Sequence, residues 1–143
     1  MVHCIPVGKQ RHRQTRQGVT YTPKKTKDYE RLLGLEAVRA FRGVPLPLCG
    51  PVEVEVCAVS PRPKRLRRKK DEDMRLRDTR KPDGDNILKS VCDSLVLAGV
   101  LTDDACVWRM GVEKWVADKT EPSIVAIRVL WDEILDPTNK EQP

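Results

Sequence analysis

The run VEVEVCAV, Val52–Val59, restricts the fold more than any other stretch of the chain. Apolar residues recur at every second position. Val52, Val54, Val56 and Ala58 therefore share one face of a strand, and Glu53 and Glu55 point to the other. A strand of this kind belongs to a sheet with one apolar face, which another layer must cover.

Two segments have the helical period that such a layer needs. In TKDYERLLGLEAVRAF, Thr26–Phe41, the residues Tyr29, Leu32, Leu33, Ala37, Ala40 and Phe41 form an apolar stripe. Thr26 is the expected N-cap, with Asp28 and Glu30 in the positive first turn, and Gly43, Pro45, Pro47 and Pro51 end the helix. A second helix is expected from Asp85 to Ala98, stopping at Gly99. Its apolar face is Ile87, Leu88, Val91, Cys92 and Leu95, and Asp85, Lys89 and Asp93 line one edge at intervals of one turn. Val2–Val7, Cys106–Ala117 and Ser123–Trp131 are further strand candidates. The expected fold is α+β: a single domain with a small mixed or antiparallel sheet and two main helices packed on it. It spans residues 1–131 and is followed by a frayed tail, 132–143.

Between the strand and the second helix lies SPRPKRLRRKKDEDMRLRDTR, Ser60–Arg80, with two prolines and no apolar period. It reads as a mobile basic loop or an extended arm. Seven of the nine residues from Arg62 to Lys70 are Arg or Lys, and the chain carries a net charge of +6. That excess points to a polyanionic partner, most often nucleic acid. Aromatic residues are only 4% of the chain, too few for a general single-strand stacking platform. The five cysteines form no C-x-x-C pair and are odd in number, which supports neither a zinc site nor a disulfide framework. The chain reads as reduced and cytoplasmic, without a signal peptide, and no stretch approaches the length of a membrane span.

The chemistry is concentrated in DGDNILK, Asp83–Lys89, and in the Asp103–Asp104 pair that follows the second helix. Carboxylates are the ligands a hard divalent cation prefers, and such cations activate water against a phosphodiester. A D-x-D pair at a glycine before a helix can turn both side chains to one point. Each feature also has a plain structural reading. Asp before a helix is often an N-cap, Lys four residues after Asp is often a surface ion pair, and Asp-Asp before a strand is often a solvated turn. For Asp104 to join Asp83 and Asp85, the strand that starts at Cys106 must lie beside the N-terminal end of the helix or pack along it.

KPDGDNILKSVCDSLVLAGVLTDD, Lys81–Asp104, resembles the signature of RusA-type Holliday-junction resolvases, endonucleases of bacteria and their phages. IPVGKQRHR and GVTYTPKKTKDYE resemble the opening strand, basic loop and first-helix start of the same family. The basic run Arg62–Lys70 is not part of the family pattern. The resemblance implies a Mg²⁺-dependent homodimer, with Mn²⁺ as a substitute ion, that resolves four-way or branched DNA by symmetric paired nicks in recombination and repair. It implies Asp83, Asp85 and Asp104 as metal-binding catalytic carboxylates, Asp103 as an accessory acid beside them, and Lys89 as a catalytic lysine. Arg11, Arg13, Arg16, Lys24, Lys25, Arg67, Arg68 and Lys69 are the candidate DNA contacts, Arg11 and Arg13 foremost because they fall in the family motif. The alternatives are a branched-DNA binding protein that keeps the fold without the chemistry, and a nuclease of flaps or single strands.

Overall fold

The computed structural model describes residues 1–11 and 13–131. The tail expected to fray, 132–143, lies outside them. The elements run β1 (Arg13–Gln14), β2 (Thr20–Tyr21), α1 (Lys24–Ala40), β3 (Val52–Ser60), β4 (Leu76–Arg77), α2 (Gly84–Leu97), β5 (Val107–Val116) and β6 (Ile124–Trp131). Short 3₁₀ turns lie at Lys64–Leu66 and Asp104–Cys106. Two helices pack on a four-stranded mixed sheet of order β4-β5-β3-β6, the α+β architecture expected from the sequence.

The alternation in β3 does what its period requires. Val52, Val54, Val56 and Ala58 are at most 3% exposed and pack with Tyr29 and Leu33 of α1 and Ile87, Val91 and Leu95 of α2. On the other face, Glu53 lies in register with Arg109 of β5, and Glu55 with Arg128 of β6. Both pairs form ion pairs, at 2.7 and 3.3 Å. Opposite charges directly across a ladder favour this register over a one-residue slip, which would bury the glutamates.

β3 pairs antiparallel with β6 and parallel with β5. Two parallel neighbours cannot be joined by a hairpin, so the chain must cross over the sheet between them. The segment from Pro61 to Cys106 is that crossover and includes β4, α2 and both 3₁₀ turns.

Several local expectations shift. Val2–Val7 forms only a single bridge, Val2 to Val125; Pro6 has no N–H with which to extend a ladder. α1 begins at Lys24 with Pro23 at its cap, so Thr26 is inside the helix and not its N-cap. Pro23 ends an extended approach, and its fixed φ of −54° leads directly into the helix. Thr26 is buried with its hydroxyl unpartnered among the described residues. Asp28 and Glu30 then fall beyond the first turn, which holds no acid. Of the predicted stripe, Tyr29 and Leu33 are buried, whereas Leu32 is 38% exposed. Gly34 lies at the crossing of the helices, where a Cβ would sit 3.3 Å from that of Ala98.

α2 matches its expectation closely. It ends before Gly99, whose φ of +70° is the left-handed value that makes glycine the natural stop. Its first residue, Gly84, lies directly against β5: a Cβ there would come within 2.8 Å of Val112 Cγ1. Gly84→Ala should therefore overpack this contact and cost about 1–3 kcal/mol. Val112→Ala in the same chain should recover part of that loss, measured by chemical denaturation; a fully additive second loss would show that the helix does not seat on β5 here.

Candidate active site

The strap leading into α2 is pinned to β5. The Asp78 N–H donates to the Lys114 carbonyl at 2.9 Å, and Lys114 Nζ donates to the Arg80 carbonyl at 2.5 Å. Arg80 holds the buried Asp78 with two hydrogen bonds, Nε to Oδ1 and Nη2 to Oδ2, each 2.7 Å. Burial alone would raise the Asp78 carboxyl, but hydrogen bonds from the Arg80 side chain and backbone, with the guanidinium charge, hold it below the usual carboxylate range. These contacts fix where α2 starts.

Asp83 occupies the N-cap position, yet its side chain makes no capping hydrogen bond; only its backbone carbonyl is used, accepting from the Ile87 N–H at 3.1 Å. Asp85 lies in the first turn, exposed, with a long 3.5 Å contact from the Asn86 amide. Lys89, one turn on, is also exposed and forms no ion pair with Asp85, and its ammonium has no hydrogen-bond partner among the described residues. Neither the cap nor the surface ion pair that the sequence allowed at this end of α2 is formed. Two carboxylates stand free where the helix dipole is positive and favours them.

Asp103 and Asp104 divide into two roles. The Asp103 carboxylate accepts from the Ala105 N–H at 2.8 Å and caps the 3₁₀ turn, and its carbonyl accepts from the Cys106 thiol at 2.8 Å. Asp104 is exposed; its carbonyl accepts from the Val107 N–H, and its carboxylate has no partner among the described residues. It faces the later turns of α2: it lines a groove of about 420 Å³ with Lys9, Glu30, Asp93, Val96, Leu97 and Asp103. Burial, and after it the Asp104 charge, pushes the nearby Cys92 thiol up to about 11.

Asp83 lines a separate groove of about 400 Å³ with residues 6–10, Lys25, Lys81, Pro82 and Asn86. From Asp85 to Asp93 the helix rises about 12 Å. Asp104 shares its groove with Asp93, Val96 and Leu97 of the later turns of α2, and Asp83 lines the other groove. Among the described residues no three Asp, Glu, His or Cys side chains are gathered as a metal site. The grouping of Asp83, Asp85, Asp103 and Asp104 expected from the sequence is not assembled in this conformation.

One side chain joins the two grooves. Lys9 lines both, and its ammonium lies 2.7 Å from Glu30 and 2.6 Å from Asp93. Its backbone N–H donates to the Asn86 carbonyl at 2.8 Å, and Gly8 fits against Pro82 and Asn86, where a Cβ would come within 2.7 Å. Burial works to lower the Lys9 ammonium, but hydrogen bonds and charge from Asp93 and Glu30 outweigh it and hold it above the usual lysine range. No local pattern in the sequence marks Lys9, because its partners lie on two different helices.

The basic candidates spread over three places. Arg11 is exposed, and Arg16 lies in the turn between β1 and β2. Arg13 is in β1. Lys24 and Lys25 occupy the first turn of α1, with Lys25 on the Asp83 groove. Arg67, Arg68 and Lys69 lie in the crossover loop, all exposed. A groove of about 560 Å³ between α1 and β6 is lined mostly by apolar residues and by none of these.

Lys9→Met should leave Glu30 a buried, unpaired carboxylate. We expect a loss of roughly 2–4 kcal/mol, toward the low end for buried pairs because Lys9 keeps some solvent. Glu30→Gln in the same chain should restore part of it in thermal and chemical unfolding, and no rescue would mean that the Lys9 stem matters rather than its charge.

No curated protein matches the chain. The sequence model of the family described as endodeoxyribonuclease RusA matches residues 4–129. That span takes in both helices, nearly all of the sheet, all four acids, Lys89 and every basic loop described above. The chain belongs to the RusA endodeoxyribonuclease family.

Proposed function

We propose that this chain is a divalent-metal-dependent endonuclease that nicks four-way and other branched DNA in recombination and repair. The observation that carries the reading is Asp83: it stands at a cap position and leaves its carboxylate unused. An oxygen-only, solvent-facing donor set suits Mg²⁺, which needs one or two carboxylates and completes its shell with water and phosphate oxygens; Mn²⁺ would substitute. The family resemblance implies Asp83, Asp85 and Asp104 as its ligands, and one ion held by all three would have to draw them together from the two grooves. Such an ion supplies charge neutralisation at the phosphate and a more acidic water.

The protein's own groups have separate tasks. Lys25 and Lys81, beside Asp83, draw a phosphate into the groove against the repulsion of the acids. Lys89, whose ammonium has no partner among the described residues, is available to stabilise charge that develops on the phosphate. Asp103 positions the turn that carries Asp104. Arg11, Arg13 and Arg16 before α1 and Lys24 at its start would add positive charge for a phosphate backbone. Symmetric paired nicks require two sites, which a twofold homodimer would provide.

A second reading has an observation in its favour. The acids are not gathered in one cluster and Asp103 serves as a cap, as expected of a junction-binding protein without chemistry. Cleavage of a synthetic four-way junction in Mg²⁺, with binding measured in Ca²⁺, decides between them. Wild type should give paired nicks. Asp85→Asn should bind and not cut, and Lys89→Ala should bind and cut about 10²-fold more slowly. Binding without cleavage by wild type would establish the non-catalytic reading.

The two neighbouring acids should separate in the same assay. Asp104→Asn should abolish cleavage and leave thermal stability unchanged. Asp103→Asn, which can still cap, should keep both, and Asp103→Ala should lose about 1 kcal/mol of stability. Equal loss of cleavage from Asp103→Asn and Asp104→Asn would place Asp103 among the ligands instead.

A further inference from the structure

The basic crossover loop is not a bare arm, and its order depends on one residue. Arg62 is 4% exposed and has no carboxylate partner among the described residues. Its guanidinium is satisfied by backbone carbonyls: Nε donates to Leu66 at 2.6 Å, Nη1 to Met74 at 2.9 Å and Ala117 at 3.2 Å, and Nη2 to Glu72 at 2.6 Å. Four of its five donors are used, and they tie both limbs of the loop to the end of β5.

Two of the three consecutive acids, Asp71 and Asp73, and the anchors Lys119 and Arg75 tie the loop to itself and to the segment after β5. Asp71 accepts from the Arg68 N–H at 2.7 Å, and its carbonyl accepts from Lys119 Nζ at 2.5 Å. Asp73 accepts from the Lys119 N–H at 2.8 Å, and Arg75 forms a two-point ion pair with Glu121. The side chains of Lys64, Arg65, Arg67, Lys69 and Lys70 are left exposed, with no hydrogen-bond or ion-pair partner among the described residues. A solvated tether would mix its charges; here two of the three acids are engaged and five cations project from a fixed backbone.

We infer that this loop is a preorganised second DNA surface, held in shape by Arg62, that grips the phosphate backbone of the duplex arm entering the active site. It rests on the proposed nuclease reading for its substrate. The return limb at Met74 is nine residues from Asp83, at most about 30 Å of chain. One helical turn of B-DNA is about 34 Å. A single arm can therefore lie at Asp83 and reach the loop within about one turn. The cations carry no fixed hydrogen-bond pattern toward bases, so the contact reads phosphates and not sequence.

The test measures binding of the full chain to a four-way junction and to a linear duplex in Ca²⁺, from about 50 to about 200 mM salt. Three variants are compared with wild type. The first is K64S/R65S/R67S/K69S/K70S. The second is Arg62→Met, which keeps every surface charge and removes the anchor. The third is Arg75→Gln, an exposed anchor whose loss spares the fold if Arg62→Met does not. We expect the five-site variant to lose about 10- to 100-fold in affinity and to flatten the log–log salt slope by about 3, as for three or four lost phosphate contacts. Arg62→Met, or Arg75→Gln in its place, should flatten the slope although all five cations remain.

A wild-type slope in the five-site variant, with cleavage intact, overturns the surface and leaves the nuclease reading standing. A flattened slope in that variant with unchanged slopes in both anchor variants overturns the role of Arg62. Wild type that binds with these slopes but never cuts overturns the nuclease reading alone. Wild type that binds neither DNA overturns both.

Discussion

Parallel pairing of β3 with β5 decides where this protein can carry function. A parallel neighbour cannot be reached by a tight turn, so the chain leaves the sheet at Ser60, crosses it and returns at Val107. Almost everything chemically notable lies in that crossover: the Arg62 loop, the DGDN segment, the free edge of α2 and the Asp103–Asp104 turn. The sheet supplies the anchor. Asp78 bonds to Lys114, Arg62 reaches Ala117, and Gly84 rests on Val112, so three points of the crossover are registered against one strand. A shift of β5 by one residue would displace the acids and the basic loop together.

The second constraint is electrostatic. Asp83, Asp93, Asp103, Asp104 and Glu30 border two grooves that share Lys9, Asp85 stands in the first turn of α2, and carboxylates crowded without a counter-charge repel one another. The fold answers this in three ways. Asp103 is absorbed into a cap, Glu30 and Asp93 share the Lys9 ammonium, and Asp83, Asp85 and Asp104 remain in solvent, apart. The side chains that are neutralised internally build the site's frame. The ones left unpaired are those the family resemblance implicates in chemistry.

The legible part of the sequence was the part governed by local period. The alternation of Val52–Val59 and the apolar face of Ile87, Val91 and Leu95 are nearest-neighbour patterns, and the structure realises both. The start of α1 was misplaced because Pro23 sets the helix geometry before Thr26 can cap it. Contacts between distant segments were silent. Nothing in the spacing of Lys9, Glu30 and Asp93 announces a shared ion pair, and nothing in PRPKRLRRKK distinguishes Arg62 from its six cationic neighbours. Whether Asp83 caps its helix is likewise a matter of side-chain direction, which residue order does not encode.

Arg62 shows how a charge run can acquire shape. Seven like charges in nine residues repel, and with no apolar period they would be expected to stay solvated. Turning one of them inward changes the balance. Its guanidinium replaces water at four backbone carbonyl contacts, satisfying groups that a folded loop would otherwise leave unpaired. The remaining cations then sit on a backbone whose conformational freedom has already been lost. A phosphate backbone that meets them pays less ordering entropy than it would on a flexible arm. Repulsion among the exposed cations is the residual strain of such a surface, and a polyanion relieves it.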